Sequence, residues 1–437
     1  MRHRLAPNVG NSDWRRIVRL KESEMLGVAS PLAAPKKPAA APLDVAQSSV
    51  ISTICFPFAG GTIGGSHISA VKLIQALDRT HFRPLVLLHR NEGQLPDFLR
   101  SQGVPFECAP TGHFLGASWG LKRAWNAAEA IRGVASQLRL AHFLRQREVR
   151  IVHTNDGAMH MTWALPAILA GSNMLWHHRA GPEGRGLRYL APLVADGIAS
   201  VSHFALSKAG PRARALASVV YSPFDTEQPI PDRNAAHASL TSELGLPRDS
   251  RIIGFFGNID GRKRPLMFVD MLAALRATAP DIPFAGLMFG ATLDPDLEAE
   301  VLRRAAYHRL GGQFRLMGFR HPVALHMAGC DLHAVTAVDE PFGRSLIEAM
   351  LLGTPVIAVA SGGNIEAIDD GVTGCLVAPD DPIAMARSIA DLFAAPDWLA
   401  ALAHQARVRA VEGFGISLHA DQIAGMYRAM LDHGRDK

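Results

Sequence analysis

From residue 51 onward, short apolar runs alternate with longer stretches in which apolar side chains recur every three or four positions. The run Ile51-Ser52-Thr53-Ile54-Cys55-Phe56 predicts a buried strand that stops at Pro57 and a glycine-rich loop. A helix over 66–77 and a strand over 83–88 follow. Residues 121–147 carry apolar positions at Leu121, Trp125, Ala128, Ile131, Ala135 and Leu138, which predicts a helix, and 150–153 returns to strand. Strands separated by helices imply a parallel sheet. Residues 157–176 hold no Asp, Glu, Lys or Arg and are long enough to span a bilayer. Pro166 and the Gly171-Ser172-Asn173 turn divide that stretch into a core helix and a strand, a reading that puts no polar group in lipid.

The alternation restarts after a loop holding Pro223, Pro229, Pro231 and Asn234. It predicts strands over 251–256, 284–289, 314–317, 332–334 and 356–358, and helices over 265–278, 296–310, 345–352 and 382–394. The division is an Ala/Pro-rich arm over 1–49, a first domain over 50–225, a linker over 226–240, a second domain over 241–415 and a C-terminal helical segment over 416–437. The fold class is α/β, with two facing, doubly wound Rossmann-like domains. Ligands of such sheets bind beyond the carboxyl ends of the strands, so the cleft between the domains is the expected site.

Composition narrows the function classes. A chain of 437 residues, 48% hydrophobic and 19% charged, has length for two or three cored domains. Lysine plus arginine exceed aspartate plus glutamate by 45 − 40 = 5, a mild basic bias. Only 7% of residues are aromatic and no dense basic tract carries them, which argues against nucleic acid. Cys55, Cys108, Cys330 and Cys375 are scattered, so they suggest neither a zinc site nor a disulfide framework. The opening residues build no secretory signal, and a cytoplasmic location is expected. Lys122, Arg123, Arg132, Arg139, Arg145 and Arg147 lie on one helical stretch, either a solvated basic face or a contact with an anionic membrane.

Candidate chemistry lies at strand-to-helix junctions. Gly60-Gly61-Thr62-Ile63-Gly64-Gly65-Ser66 is such a junction, where glycine lets backbone N–H groups approach a ligand. It lacks the G-x-G-x-x-G spacing of a dinucleotide site, and the next strand ends in Leu88-His89-Arg90 instead of a ribose-binding carboxylate. The segment Asp339-Glu340-Pro341-Phe342-Gly343-Arg344-Ser345-Leu346-Ile347-Glu348 places one carboxylate before a helix and another two turns inside it. Free N–H groups near Gly343 and Arg344 would present positive potential to a diphosphate. His153 and Asn155-Asp156 end another strand and either line the cleft or cap the next helix. Asp294-Pro295-Asp296 imitates a metal pair but reads as a helix start.

Taken together these segments resemble glycosyltransferase family 4, retaining enzymes of the GT-B fold whose signature is two glutamates separated by seven residues. Ser361-Gly362-Gly363-Asn364-Ile365-Glu366, Gly371 to Val377, Gly254-Phe255-Phe256-Gly257 with Lys263, and Leu316-Met317-Gly318-Phe319 fall in the family's order. The resemblance covers roughly residues 50–410. It implies that Glu340 contacts the donor sugar, Glu348 the nucleotide ribose, and Lys263 the diphosphate. Phe342, Gly343, Arg344, Ser345, Gly318 and Phe319 would complete the donor site. Where the family usually has arginine this chain has Asn258, and Arg262 or Arg264 would supply the charge. Gly60, Gly61, Gly64, Gly65 and Ser66 would face phosphate and acceptor. The histidine that the family places near the reacting carbon matches His177 or His178, with His178 preferred for its place before Arg179.

What the resemblance implies is transfer from a nucleotide-sugar to a saccharide or lipid-linked saccharide hydroxyl, in making a cell-surface polysaccharide or glycolipid. No cofactor or metal is expected, the nucleotide-sugar being co-substrate. A sugar-nucleotide epimerase of the same fold and a non-catalytic nucleotide-sugar binding protein are the other readings.

Overall fold

The computed structural model describes residues 51–61, 63–112, 115 and 127–433. The arm over 1–49, and Leu121, Lys122, Arg123 and Trp125 of the basic stretch, lie outside the described residues. Two parallel sheets form the framework. The first holds β1 (Ser52–Phe58), β2 (Phe82–Leu88), β3 (Glu107–Cys108), β4 (Val149–Thr154), β5 (Asn173–His178), β6 (Gly197–Ser200) and β7 (Ala217–Val219) in the order β3-β2-β1-β4-β5-β6-β7. The second holds β8 (Arg251–Phe256), β9 (Phe284–Phe289), β10 (Phe314–Gly318), β11 (Leu332–Val335), β12 (Val356–Val359) and β13 (Cys375–Val377) in the order β10-β9-β8-β11-β12-β13. Each order reverses once, at β1/β4 and at β8/β11, and those switch points are where crevices open.

Helices cover both faces of each sheet, so the central strands are apolar throughout: β9 is buried at every residue. β1 runs past Pro57, which was expected to end it. Its register with β4 extends only to Cys55, so Pro57 takes no ladder bond from that neighbour while β2 stays paired through Phe58. The uncharged stretch forms the helix Gly157–Ala170, capped by Asp156 through Met159 N and ended by Gly171 in the left-handed region (φ 74°), and then β5. Among the described residues no helix is long and apolar enough to cross a membrane.

Two segments differ from their sequence reading. The stretch expected as a linker enters the helix Arg233–Leu244, whose cap Asp232 accepts from Asn234 N and Ala235 N. It buries little beyond Ala236 and Leu240, too small an apolar stripe to show as periodicity. The C-terminal helix Ile416–His433 was expected as a helix, but its destination was not. It returns to the first domain, where Ala420, Ile423, Ala424 and Tyr427 join the core of Ile54, Phe56, Leu73 and Phe82. Full burial of a side chain such as Ile423 contributes about 1.5–3 kcal/mol, enough to tie the helix there. The chain therefore crosses between the domains twice, and the crossings touch: Phe224 N donates to Phe414 O at 2.8 Å.

Candidate active site

A cleft of about 730 Å³ opens between the two domains at the carboxyl ends of their strands. On the second-domain side β8 ends at Gly257, against which Lys263 lies; a Cβ there would sit 3.3 Å from Lys263 Cε. Lys263 closes a short 3-10 turn, Gly261–Lys263, whose cap Asp260 accepts from Lys263 N at 3.0 Å. Thr336 Oγ1 holds the Lys263 carbonyl at 2.7 Å. These bonds aim the lysine at Glu340, whose Oε2 is 3.0 Å from Lys263 Nζ and is also paired with Arg262. Glu340 is 9% exposed, so the two cations meet a largely desolvated carboxylate.

The loop bearing Glu340 is held from behind by the glycine-rich segment. A Cβ on Gly362 would come 2.6 Å from Glu340 O, and Gly363 N donates to that oxygen at 2.8 Å. The helix Arg344–Leu351 then starts at Gly343 (φ 73°), which lines the cleft with Arg344 and Ser345. Beneath them His333 Nδ1 donates to Gly254 O at 3.0 Å, which leaves Nε2 to accept the Ser345 hydroxyl at 3.3 Å. Burial brings the His333 imidazole down to about 4, so it is neutral at physiological pH. Glu348 lines the cleft and takes a 3.3 Å contact from Arg344, whose other nitrogen donates to Ser69 Oγ of the first domain at 3.0 Å. Arg344 also lies over the Phe224 ring at 4.5 Å, so one side chain spans both domains.

Of the expected donor residues, Arg262, Lys263, Asn258, Phe319, Glu340, Phe342, Gly343, Arg344, Ser345 and Glu348 line the cleft together. Arg264 is not among the lining residues. It adopts a left-handed conformation (φ 54°) at the end of the 3-10 turn and pairs with Asp380 instead, leaving Arg262 as the arginine that could replace the family's usual one. Gly318 is also set back; its carbonyl accepts from Gly290 N at 2.9 Å, which holds the neighbouring strand ends together.

The first-domain wall is built from Gly65, Ser66 and Arg179. Gly60, Gly61 and Gly64 are not lining residues. Gly60 and Gly61 have φ of 89° and 88°, and a Cβ on Gly60 would come 2.2 Å from Arg90 O, so these two are turn glycines packed on the next loop. Gly64 caps the helix Gly65–Ala76, and its N–H is taken by His67 Nδ1. The candidate histidines do not reach the cleft either. His178 Nε2 bonds Gly181 O at 3.2 Å, and His177 is wholly buried against His153. Strand β5 ends with them inside the core, and the next residue, Arg179, emerges at the wall. His153 and Asn155 lie behind Arg179, while Asp156 caps the following helix. Asp294 likewise caps the helix Pro295–Tyr307.

Two contacts went unforeseen. Glu366 reaches across the cleft and accepts from His203 N at 2.9 Å and Phe204 N at 2.7 Å, and Phe342 stacks on Tyr221 with centroids 5.0 Å apart. Both belong to motifs already singled out, but no local pattern says which first-domain group they meet.

The family model for glycosyl transferases group 1 matches residues 250–395. Similar curated proteins include the D-inositol 3-phosphate glycosyltransferases of Corynebacterium urealyticum, 29% identical over 222 residues covering 50% of this chain and 52% of that one, and of Streptomyces scabiei, 34% identical over 223 residues covering 48% of each. The chain spans about half the length of the curated relatives it matches. Among solved structures, Anabaena HepE in complex with UDP aligns with a TM-score of 0.71 at 22% identity over 87% of this chain and 100% of that one. A glycosyltransferase from Rickettsia africae aligns at 0.72 and 18%, over 87% and 99%. These structures show the fold to be GT-B. The second domain is thus similar to the group 1 glycosyl transferases over residues 250–395, and the whole described chain has the GT-B fold.

Proposed function

We propose that the protein transfers a sugar from a nucleotide-sugar to an acceptor hydroxyl with retention of anomeric configuration. The observation that carries this reading is the meeting of Lys263 and Arg262 on Glu340, beside an open helix start at Gly343, in a cleft sized for a nucleotide-sugar. A donor diphosphate brings the two cations a second anion, and Glu340 can then accept from sugar hydroxyls. Glu348, two turns further along the helix, suits the ribose. As the bond from anomeric carbon to phosphate breaks, negative charge grows on the leaving diphosphate, where Lys263, Arg262 and the helix N–H groups stabilise it. The acceptor oxygen bonds to the same face of that carbon, and its proton passes to the departing phosphate. Glu340 and Glu348 sit on one side of this path instead of flanking it, which is not the arrangement of a two-carboxylate hydrolase.

The UDP and UDP-glucose named in the HepE structures support a pyrophosphate-linked donor of that kind. Incubation with a panel of nucleotide-sugars and saccharide acceptors, read by proton NMR of the product, tests the reading. A product of the donor's own anomeric configuration is expected; an inverted product refutes retention, and donor epimerised or left intact refutes transfer. Because protein cations already supply the positive charge at the leaving group, turnover is expected to persist in excess chelator. Loss of activity that magnesium or manganese restores would overturn that point.

A cell-surface glycan or glycolipid acceptor, and a cytoplasmic enzyme resting on the inner membrane face, complete the proposal. In support, Val134, Leu138, Leu165, Ile168, Tyr189 and Leu193 are exposed on neighbouring helices of the first domain. The helices that carry them, Ala127–Gln146, Gly157–Ala170, Gly186–Leu190 and Ala191–Val194, hold Arg132, Arg139, Arg145 and Arg188 against a single acidic residue, Glu129. Arg132 and Arg139 are exposed, whereas Arg145 turns to Leu169 O and Arg147 pairs with Glu107. Such a face suits an anionic interface. Co-sedimentation with phosphatidylglycerol vesicles is expected to exceed that with phosphatidylcholine and to fall in Leu138→Asp/Ile168→Asp. Equal sedimentation with both lipids would dismiss the membrane contact.

A further inference from the structure

The loop that carries Glu340 has little structure of its own. It turns at both ends through left-handed backbone, Asp339 at φ 50° and Gly343 at φ 73°, and only the second is a glycine. Such a turn keeps its shape through what presses on it. On one side that is the glycine-rich segment: a Cβ on Gly363 would come 2.7 Å from Phe342 Cα, and Ser361 Oγ accepts from Asp339 N at 3.0 Å.

On the other side the loop sends the ring of Phe342, a residue only 3% exposed, into an aromatic cluster drawn from the two passages between the domains. Tyr221 stacks on that ring with centroids 5.0 Å and planes 21° apart, Phe414 meets it edge-on at 5.3 Å, and Phe224 lies at 6.4 Å. Tyr221 and Phe224 stand on the first passage and Phe414 on the second, so both grip the loop. Tyr221, the face-to-face contact, is itself anchored three times. His419 Nδ1 of the C-terminal helix donates to its carbonyl at 2.6 Å, its ring meets Phe414 at 5.4 Å, and its hydroxyl donates to Glu366 Oε2 at 3.3 Å. Burial, followed by the Glu366 charge, pushes the phenol up, so it keeps its proton and goes on donating. Because Glu366 belongs to the glycine-rich segment, the front and the back of the loop are tied to each other as well.

We propose that Tyr221 is a positioning residue for the carboxylate of Glu340, fixing where it stands through the ring of Phe342. Tyr221 does not line the cleft, although Ser222 does, so it acts through the loop and not on a ligand. That Glu340 meets a donor sugar rests on the function proposed above; the support of its loop by Tyr221 does not. The ring carries the effect more than the hydroxyl, because Glu366 already accepts two backbone amides at 2.7 and 2.9 Å. Phe342 is two residues from Glu340, and misplacing a substrate-orienting group by an ångström costs on the order of a hundredfold in rate. Glu348, in the helix beyond Gly343, is outside the gripped turn, so the hold on the nucleotide itself should change little.

The test is a double-mutant cycle on the full chain with UDP and UDP-glucose as probes, read by calorimetry. Tyr221→Leu, which removes the flat ring, is expected to raise the Kd of UDP-glucose roughly tenfold and that of UDP less than about twofold. Tyr221→Phe should match the wild type with both. In a Glu340→Gln background Tyr221→Leu should add less than about twofold, because the group it positions is already gone. An undiminished effect in that background, equal weakening of UDP and UDP-glucose, or no effect at all would each overturn the positioning role. If Tyr221→Leu does not fold, Phe342→Leu breaks the same stack from the other side and takes its place in the cycle; if neither folds, the contact serves the fold alone and the role is refuted. A second readout needs no ligand: hydrogen exchange of peptides spanning 339–350 and 361–368 is expected to quicken in Tyr221→Leu and not in Tyr221→Phe. Unchanged exchange would overturn the support of the loop. Quickened exchange in a protein that binds neither probe would count against the donor reading and leave Tyr221 as the support of this loop.

Discussion

Lys263→Ala is expected to lower turnover roughly a hundred- to a thousandfold, about 2.7–4 kcal/mol, while changing donor affinity far less. The asymmetry comes from where charge develops. In the ligand-free cleft Lys263 already has an anion, Glu340, 3.0 Å away, so a ground-state donor gains only part of its charge. The departing diphosphate gathers more negative charge than the bound donor, and a cation held by the Asp260 cap and the Thr336 hydroxyl needs no rearrangement to meet it. Steady-state kinetics over donor concentration give kcat and KM separately. A variant whose KM rises by the same factor as kcat/KM falls, with kcat unchanged, would show that Lys263 binds donor and transition state equally.

The second large effect is expected at Glu340. Glu340→Gln removes the carboxylate on which Arg262 and Lys263 converge and replaces a charged acceptor of sugar hydroxyls by a neutral one. Hydrogen bonds to charged groups contribute about 1.5–3 kcal/mol, so kcat/KM should fall tenfold or more, with kcat included because the sugar's reacting carbon is no longer oriented. Glu348→Gln offers the contrast. Its partner is a ribose whose charge does not change, and its contact with Arg344 is a partly exposed pair of small worth, so the main effect should be a raised donor KM. Melting curves first establish that both variants are folded. Wild-type kinetics in both would remove the two-glutamate assignment.

The second domain was largely legible in sequence because its elements are local. Strands 251–256 and 284–289 and helices 265–278 and 382–394 coincide with the observed β8, β9, Pro265–Thr278 and Pro382–Ala394. The motifs, too, sit where backbone geometry demands particular residues: Gly343 at positive φ, Gly362 against the Glu340 carbonyl. What sequence could not show is which way a strand end faces. His177, His178 and Arg179 are consecutive, and whether each is buried or exposed at the wall depends on where β5 stops, a matter of one residue. The helix Arg233–Leu244 escaped notice because few of its residues are buried, and the docking of Ile416–His433 because it depends on a surface more than two hundred residues away.

That docking has a mechanical consequence. Two passages of backbone join the halves of the molecule, one near Phe224 and one near Phe414, and they are bonded side by side, with Phe224 also bridged to Gly415. A single linker would let one half swivel and slide over the other. A pair fastened together behaves like the spine of a book: the leaves can swing about one line, but twisting them or shifting one past the other would shear the fastening. The residues facing each other across the gap, Glu366 with the Phe204 amide and Arg344 with Ser69, would therefore part and meet again in the same register on every swing.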